Sequence, residues 1–143
     1  MGAVPPAAPA IRLLLADDHR LVVEALRALL ASDPRLEIVG AAYDGEQAVE
    51  LAAELEPDIV LMDISMPVLD GIEVTRVITE ANPGIHVLIL TGPDWDVDSA
   101  RARTAGASGF ILKERSVADL VDAIVEVSTL LLAFGGRRVN TPI

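Results

Sequence analysis

Short apolar runs alternate along this chain with longer segments of helical period, and five such pairs can be counted. This alternation is typical of strand–helix units repeated around a parallel sheet. The third run is apolar on both faces apart from its first residue, as expected of a central strand with helices on either side. The sequence therefore predicts an α/β fold with the strands Ile11–Ala16, Leu36–Ala42, Asp58–Met62, Ile85–Leu90 and Ser108–Leu112.

The segments between the strands predict helices with recognisable ends. The first should stop near Ser32 because a proline follows Asp33, and Asp44 should cap the second, which stops before Pro57. The predicted inward positions are Val22, Ala25, Leu26 and Leu29 in the first helix, Ala48, Leu51, Ala52 and Leu55 in the second, Val74, Val77, Ile78 and Ala81 in the third, and Leu120, Val121, Ile124 and Val125 in the fifth.

The fourth helix, predicted over Pro93–Ala105, has a thin apolar stripe, and Gly106 suits a left-handed cap after it. The fifth should open at Ser116 and run to about Phe134. A chain of 143 residues fits one domain. We expect a disordered tail over residues 1–10, one domain over residues 11–134, and the start of a linker or a C-terminal tail over residues 135–143.

Composition excludes several classes of function. The net charge of -11 opposes nonspecific attraction to nucleic acid. The chain has no cysteine, which rules out disulfides, thiolate catalysis and zinc–thiolate sites. Its longest uncharged stretches fall below the roughly 18 apolar residues that suggest a membrane span. We expect a cytoplasmic protein that binds neither nucleic acid nor membrane directly.

Five chemically demanding residues follow separate strands: Asp17 and Asp18 after the first, Asp63 after the third, Thr91 after the fourth and Lys113 after the fifth. The carboxyl ends of parallel strands lie on one edge of the sheet, where ligands bind in the crevice. Clustered carboxylates repel one another unless a cation joins them, so three acids on one edge predict a hard divalent ion. The expected ion is Mg²⁺.

Each of these residues has a role in phosphoryl transfer that its chemistry suits. Asp63, at the mouth of a central strand, can attack a phosphoryl group and form an acyl phosphate. Asp18 and Asp63 would hold the metal, with Asp17 assisting through water. Lys113 offers a compact positive charge to the phosphoryl oxygens, and the hydroxyl of Thr91 can reorient to hydrogen-bond them.

At these residues the chain resembles the CheY-like receiver domain of two-component response regulators, over roughly residues 11–133. The motifs in family order are Asp17-Asp18, Asp63-Ile64-Ser65-Met66-Pro67, Asp70-Gly71, Leu90-Thr91 and Gly106-Ala107-Ser108-Gly109-Phe110-Ile111-Leu112-Lys113. The resemblance implies a flavodoxin-like (βα)5 fold, with a doubly wound five-stranded parallel sheet in the order 2-1-3-4-5. It also implies phosphoryl transfer from a sensor histidine kinase to Asp63, and Mg²⁺ ligation by Asp18, Asp63 and the Ser65 backbone carbonyl, helped by Asp17.

The resemblance further implies a switch, in which Thr91 moves toward the phosphoryl group and Phe110 turns inward. This would alter the face formed by the fourth helix, fifth strand and fifth helix, where a partner binds. Glu114 stands where many receivers carry proline. Together with the run Gly106-Ala107-Ser108-Gly109-Phe110, this residue makes the chain resemble the NarL/FixJ (LuxR-type) subgroup. Members of that subgroup usually append a DNA-binding output domain, which this chain lacks, so we expect either a receiver excised from a transcription regulator or a freestanding one.

Other interpretations remain open. A freestanding or phosphorylation-independent receiver would act through protein–protein interaction alone. A phosphatase with an aspartyl-phosphate intermediate would need a second acid at the position of Ser65, so a signalling switch is expected rather than an enzyme. A flavodoxin is disfavoured because carboxylates follow the first strand, where the FMN phosphate would bind.

Three further features have plain structural interpretations. His19 is expected to be solvated rather than a metal ligand, because magnesium prefers oxygen. His86, at the start of the fourth strand, is expected to be structural and opposite the reactive edge. The apolar stretch Leu130–Phe134 could extend a homodimer surface or simply pack against the sheet.

Overall fold

The computed structural model describes residues 10–63, 71–91, 101–112 and 117–135. The strands are β1 (Ile11–Ala16), β2 (Leu36–Ala42), β3 (Ile59–Asp63), β4 (His86–Thr91) and β5 (Gly109–Leu112). The helices are α1 (Arg20–Ala31), α2 (Gly45–Leu55), α3 (Gly71–Ala81), α4 (residues 101–104) and α5 (Val117–Leu130), which a π-helical turn continues over Leu131–Gly135.

The five strands form one parallel sheet in the order β2-β1-β3-β4-β5. Both the α/β class and the strand order expected from the resemblance are confirmed. The strand order reverses at β1. From β1 the chain first adds β2 on one side, and then adds β3, β4 and β5 on the other side. Such a reversal opens a crevice beyond the carboxyl ends of the two central strands.

Helices cover the sheet on both faces, so each strand contributes alternate residues to two cores. In β1, Leu13 and Leu15 pack into the core that α1 and α5 cover. Leu14 and Ala16 pack into the other core, with residues of α2, α3 and α4. Every residue of β3 is buried, which explains why this run lacks a polar face.

Two strands end one residue later than the sequence predicts. Asp63 is the last residue of β3 and Thr91 the last residue of β4, rather than the first residues beyond them. The reason is that Asp63 pairs with Leu90 and Thr91 pairs with Leu112, so the ladder continues past the apolar runs. The backbone of the two polar positions is therefore fixed by the sheet.

The predicted buried face of α1 is right at Leu26 and wrong at the other three positions, Val22, Ala25 and Leu29. Its buried residues are Val23, Leu26 and Leu30, whereas Val22 is 44% exposed and Leu29 is 38% exposed. Apolar side chains lie on most sides of this helix, so periodicity permits two stripes about one residue apart. Packing against β1 and the start of β2 selects the second stripe.

The predicted helix ends are largely confirmed. Ser32 follows α1 as its C-cap, and the Asp44 carboxylate accepts a hydrogen bond from the Gln47 N–H at the start of α2. Glu56 ends α2 in the left-handed conformation, with φ of 48°. Gly106 has φ of 109°, in agreement with its predicted cap position.

Several predictions fall outside the described residues: the terminal tails, most of the predicted fourth helix, Ser65, Lys113 and Ser116. Of the apolar stretch at the end of α5, Leu130 is exposed, while Leu131 and Leu132 pack against the core. Among the helices of the described ranges, none combines the length and the hydropathy needed to cross a membrane.

Candidate functional site

The strand register brings the predicted residues to one edge of the sheet. Ala16, the last residue of β1, pairs with Met62 of β3, so Asp17, which follows β1, lies beside Asp63, the last residue of β3. Asp17 is held there by its N–H, which donates to the carbonyl of Ala42 at 3.0 Å. The sequence prediction that the two carboxylates converge is therefore confirmed by the backbone.

The same register reaches across β4 and β5. Thr91 ends β4 and pairs with Leu112, the residue before Lys113. Lys113 and Ser65 lie outside the described residues, and only the backbone of Thr91 is described. The proposed chemical roles of these three residues thus remain predictions.

Three carboxylates and one imidazole form a compact cluster at this edge. One ligand atom each from Asp17, Asp18, His19 and Asp63 can be chosen so that all lie within 4.8 Å of one another. Asp63 is 0% exposed and Asp17 is 3% exposed, while Asp18 is partly exposed. Two of the three acids are thus removed from solvent next to each other.

The surroundings of Asp17 raise the pKa of its carboxyl. Burial raises the pKa of the Asp17 carboxyl, and the neighbouring Asp63 carboxylate raises it further, while hydrogen bonds from His19 oppose the shift. Such repulsion is the signature of a site that gains from a bound cation. Within the described part of the chain, Asp18 Oδ1 is buried and makes no geometrically acceptable hydrogen bond. The three carboxylates offer oxygen donors, and one of these, Asp18 Oδ1, is buried without a hydrogen bond among the described residues, which suits Mg²⁺.

His19 takes a larger part in this cluster than the sequence suggested. Its N–H donates to Asp17 Oδ1 at 2.9 Å, and its ring Nδ1 lies 3.0 Å from Asp17 Oδ1 and 3.1 Å from Asp18 Oδ1. The side chain is 64% exposed, so it covers the site from the solvent side. The hydrogen bond that the imidazole makes to the Asp17 carboxylate, followed by the charge of Asp18, raises the pKa of His19. His19 is thus exposed to solvent, as predicted, but its contacts with the two acids were not predicted, and only its position next to them in the sequence hinted at these contacts.

Phe110, the predicted switch residue, lies on β5 and is partly buried against the core that includes Ala102 and Ala105. The Arg103 guanidinium sits over its ring, 5.2 Å from the centroid, at the distance of a cation–π contact. A groove lined by Arg103, Phe110 and Val127 opens beside the ring. The described geometry gives Phe110 a position between core and surface, and its movement remains a prediction.

His86 lies at the opposite edge of the sheet, as predicted. It is the first residue of β4, and its ring Nδ1 is 2.9 Å from the hydroxyl of Ser108. Burial lowers the pKa of the His86 imidazole, which favours its neutral form. Close by, the carboxylate of the buried Asp58 accepts a hydrogen bond from the Arg12 N–H at 3.0 Å. These groups stabilise the far edge and are separate from the acid cluster.

Comparison with known proteins agrees with this geometry. The family model described as the response regulator receiver domain matches residues 13–125. The transcriptional regulatory protein LnrK of Bacillus subtilis is 43% identical over 117 residues, which are 82% of this chain and 53% of LnrK. The transcriptional regulatory protein DegU of Brevibacillus brevis is 38% identical over 118 residues, 82% of this chain and 50% of DegU.

A solved structure gives the same result in three dimensions. The LuxR-family two-component response regulator of Aurantimonas sp. SI85-9A1 superposes with a TM-score of 0.78 at 36% identity, covering 85% of this chain and 86% of that one. The chain spans about half the length of the curated relatives named above. The family match, the strand order and the acid cluster lead to one assignment: this chain belongs to the response regulator receiver domain family, among relatives of the LuxR/NarL type.

Proposed function

We propose that this chain takes a phosphoryl group onto Asp63 and carries the signal as an aspartyl phosphate. The observation that supports this most directly is the placement of a fully buried carboxylate at the end of the central strand β3, beside Asp17 and Asp18. A nucleophile in this position is fixed by the sheet, and phosphoryl transfer depends mainly on positioning and charge neutralisation.

The acids would share the work of holding Mg²⁺. Asp18 and Asp63 would be its side-chain ligands, with the Ser65 carbonyl as a third, and Asp17 would assist from beside them. When bound, the ion would neutralise charge on the phosphoryl oxygens and orient them toward Asp63. The buried Asp18 Oδ1 supports this assignment, because it has no acceptable hydrogen bond among the described residues.

Lys113 and Thr91 complete the proposed site. Lys113 would place its ammonium against the phosphoryl oxygens, and Thr91 would donate its hydroxyl to them once they arrive. The pairing of Thr91 with Leu112 supports this role, because it aligns the ends of β4 and β5 at the reactive edge. The movement of Thr91 would free space for Phe110 to turn inward and change the surface around it.

The phosphodonor would be a sensor histidine kinase, and the product a signalling state rather than a released chemical. The relatives are named as transcriptional regulatory proteins, and the matched residues cover only 50% of DegU and 53% of LnrK. We therefore propose that phosphorylation controls a DNA-binding output domain attached to this receiver in the full-length protein. The changed surface would meet that domain or a second copy of the chain.

Phosphoramidate provides a direct test, because its phosphorus–nitrogen bond mimics that of phosphohistidine. Incubated with Mg²⁺ and phosphoramidate, the wild type should gain one phosphoryl mass in intact-protein mass spectrometry, and Asp63→Asn should gain none. Asp58→Asn is the matched control, since it changes another buried aspartate at the opposite edge and should leave the modification intact. An unmodified wild type, or modification that persists in Asp63→Asn, would overturn the assignment of the acceptor.

A further inference from the structure

Phe110, the proposed switch residue, has a cation against its ring. We infer that Arg103 is a positioning residue for the switch: its guanidinium holds the Phe110 ring in the observed orientation and so sets how readily phosphorylation turns the ring inward. The inference rests on the proposed function, and it adds a residue outside the acid cluster that controls the equilibrium of the switch.

The contact joins an exposed side chain to a partly buried one. The Arg103 guanidinium lies 5.2 Å from the centroid of the Phe110 ring, within the roughly 6 Å over which an aromatic face attracts a cation. Arg103 is exposed, whereas Phe110 packs in part against the core. Of the described residues that line the groove beside the ring, Arg103 is the only charged one. The cation thus covers the ring from the solvent side.

The backbone that carries Arg103 is fixed at the end of α4. The carbonyl of Arg103 accepts a hydrogen bond from the Gly106 N–H at 3.0 Å. The hydroxyl of Thr79 in α3 lies 2.9 Å from the carbonyl of Ala105. Ala102 and Ala105 are both buried, so this turn is packed into the core on either side of Arg103. The guanidinium is therefore presented to the ring from a rigid base.

The contact belongs to one orientation of the ring. Strand pairing places Phe110 beside Ile89, two residues before Thr91, so a ring that turns toward the reactive edge leaves the end of α4. A contact shifts an equilibrium only if it differs between the two states. Arg103 therefore favours the observed orientation, by a factor of about two to five for an exposed cation–π contact.

Beryllofluoride with Mg²⁺ mimics the bound phosphoryl group, and its titration into the full chain measures how readily the switch turns. Arg103→Met removes the charge and keeps a long side chain. Beryllofluoride should then bind about two- to fivefold more tightly, because its affinity rises with the population of the inward orientation. Arg103→Lys keeps a cation and should recover part of the wild-type affinity.

Arg101→Met is the matched control. It removes the same charge from the same turn of α4, but Arg101 lines a separate cavity against α3 rather than the groove beside Phe110. Its beryllofluoride affinity should equal that of the wild type. An equal tightening in Arg101→Met would overturn the inference, since the effect would then come from net charge and not from the contact with the ring.

Ring resonances report the orientation of Phe110 independently of affinity. The chain has two phenylalanines, so ¹³C labelling of this residue type and comparison with Phe134→Leu assign the Phe110 signal. The free and the beryllofluoride-loaded wild type define a line between the two orientations. The signal of free Arg103→Met should lie on that line, displaced toward the loaded position, whereas loss of packing alone would move it off the line.

The outcomes separate this inference from the proposed function. If the wild-type ring responds to beryllofluoride but Arg103→Met has the wild-type affinity, or its free signal is unmoved or lies off the line, the role of Arg103 is overturned and the switch stands. A wild-type ring that does not respond to bound beryllofluoride overturns the switch and this inference together. Phosphorylation of Asp63 is scored separately, by the mass gained from phosphoramidate.

Discussion

Removing one charge from the acid cluster should make the metal-free protein more stable. In Asp63→Asn, a fully buried carboxylate becomes a neutral amide of nearly the same shape, next to the 3% exposed Asp17. The wild type has a carboxylate at both positions, and without a bound cation the two charges repel each other. We therefore expect the free energy of unfolding to rise in the variant when metal is removed with a chelator.

The size of the gain follows from the separation of the acids. Ligand atoms of the cluster lie within 4.8 Å of one another. Two unit charges at that distance repel by about 1 kcal/mol at the dielectric constant of water and by about 3 kcal/mol at an effective value of about 20. The Asp18 carboxylate adds repulsion and the His19 ring offsets part of it, so a net gain of about 1–3 kcal/mol is expected.

The gain should depend on pH in a defined direction. The pKa of Asp17 is raised in the folded state above its ordinary value of 3.8, so the stability this group contributes is full below 3.8 and is lost as the pH rises through the folded pKa. The advantage of Asp63→Asn over the wild type should therefore be largest near neutral pH and shrink toward acid. Saturating Mg²⁺ should also reduce it, because binding at about 100 times Kd stabilises the wild type by about 2.7 kcal/mol.

Urea unfolding followed by circular dichroism measures the difference in the free energy of unfolding between the variant and the wild type. The slope of this free energy against urea concentration checks that unfolding is two-state. Asp58→Asn is the matched control: its buried carboxylate accepts from the Arg12 N–H, and neutralising it should lower stability by about 1 kcal/mol. An Asp63→Asn variant that is no more stable than the wild type in chelator would refute the repulsion argument.

Three local predictions test the backbone at the ends of helices by the same unfolding assay. Gly106→Ala should cost about 2–4 kcal/mol, because a Cβ at φ of 109° would lie 2.5 Å from Thr79 Oγ1, which bonds the Ala105 carbonyl; a loss below about 1 kcal/mol would contradict it. Glu56→Gly should raise stability by up to about 1 kcal/mol by relieving the left-handed conformation, and a loss would refute this explanation. Asp44→Ala should cost about 1 kcal/mol through the lost cap of α2, whereas Asp44→Asn, which keeps an acceptor, should cost less; equal losses would contradict the cap.

Local chemistry explains why much of the fold could be predicted. The apolar run before Asp63 is buried on both faces, so the prediction did not have to decide which of its residues face the core. The helix-capping signals at Asp44 and Gly106 act within a few residues of the chain. On α1 the apolar pattern fits more than one buried face. The sequence predicted that Val22 and Leu29 are buried, whereas packing in the structure buries Val23 and Leu30. A helix with apolar residues on most sides lacks the information that its neighbours supply.

The candidate site, like the fold, could be predicted from the sequence only in part. Its acids could be predicted because each stands at the end of an apolar run and carries the chemistry that a cation needs. The contact of His19 with two of them could not, because side-chain direction at the start of α1 depends on how that helix leaves the sheet. Distances of 3.0 Å and 3.1 Å exist only after β1, β2 and β3 are aligned.

The sequence by itself determined the alternation of strands and helices, the buried central strand and the types of residue available at its end. Tertiary structure decided which residues of α1 are buried, where β3 and β4 stop, and that Asp17 lies beside Asp63 with His19 above them. The physical reason is range: backbone propensity and hydrophobic period act over a few residues, whereas strand register joins Ala16 to Met62 across 46 positions of the chain.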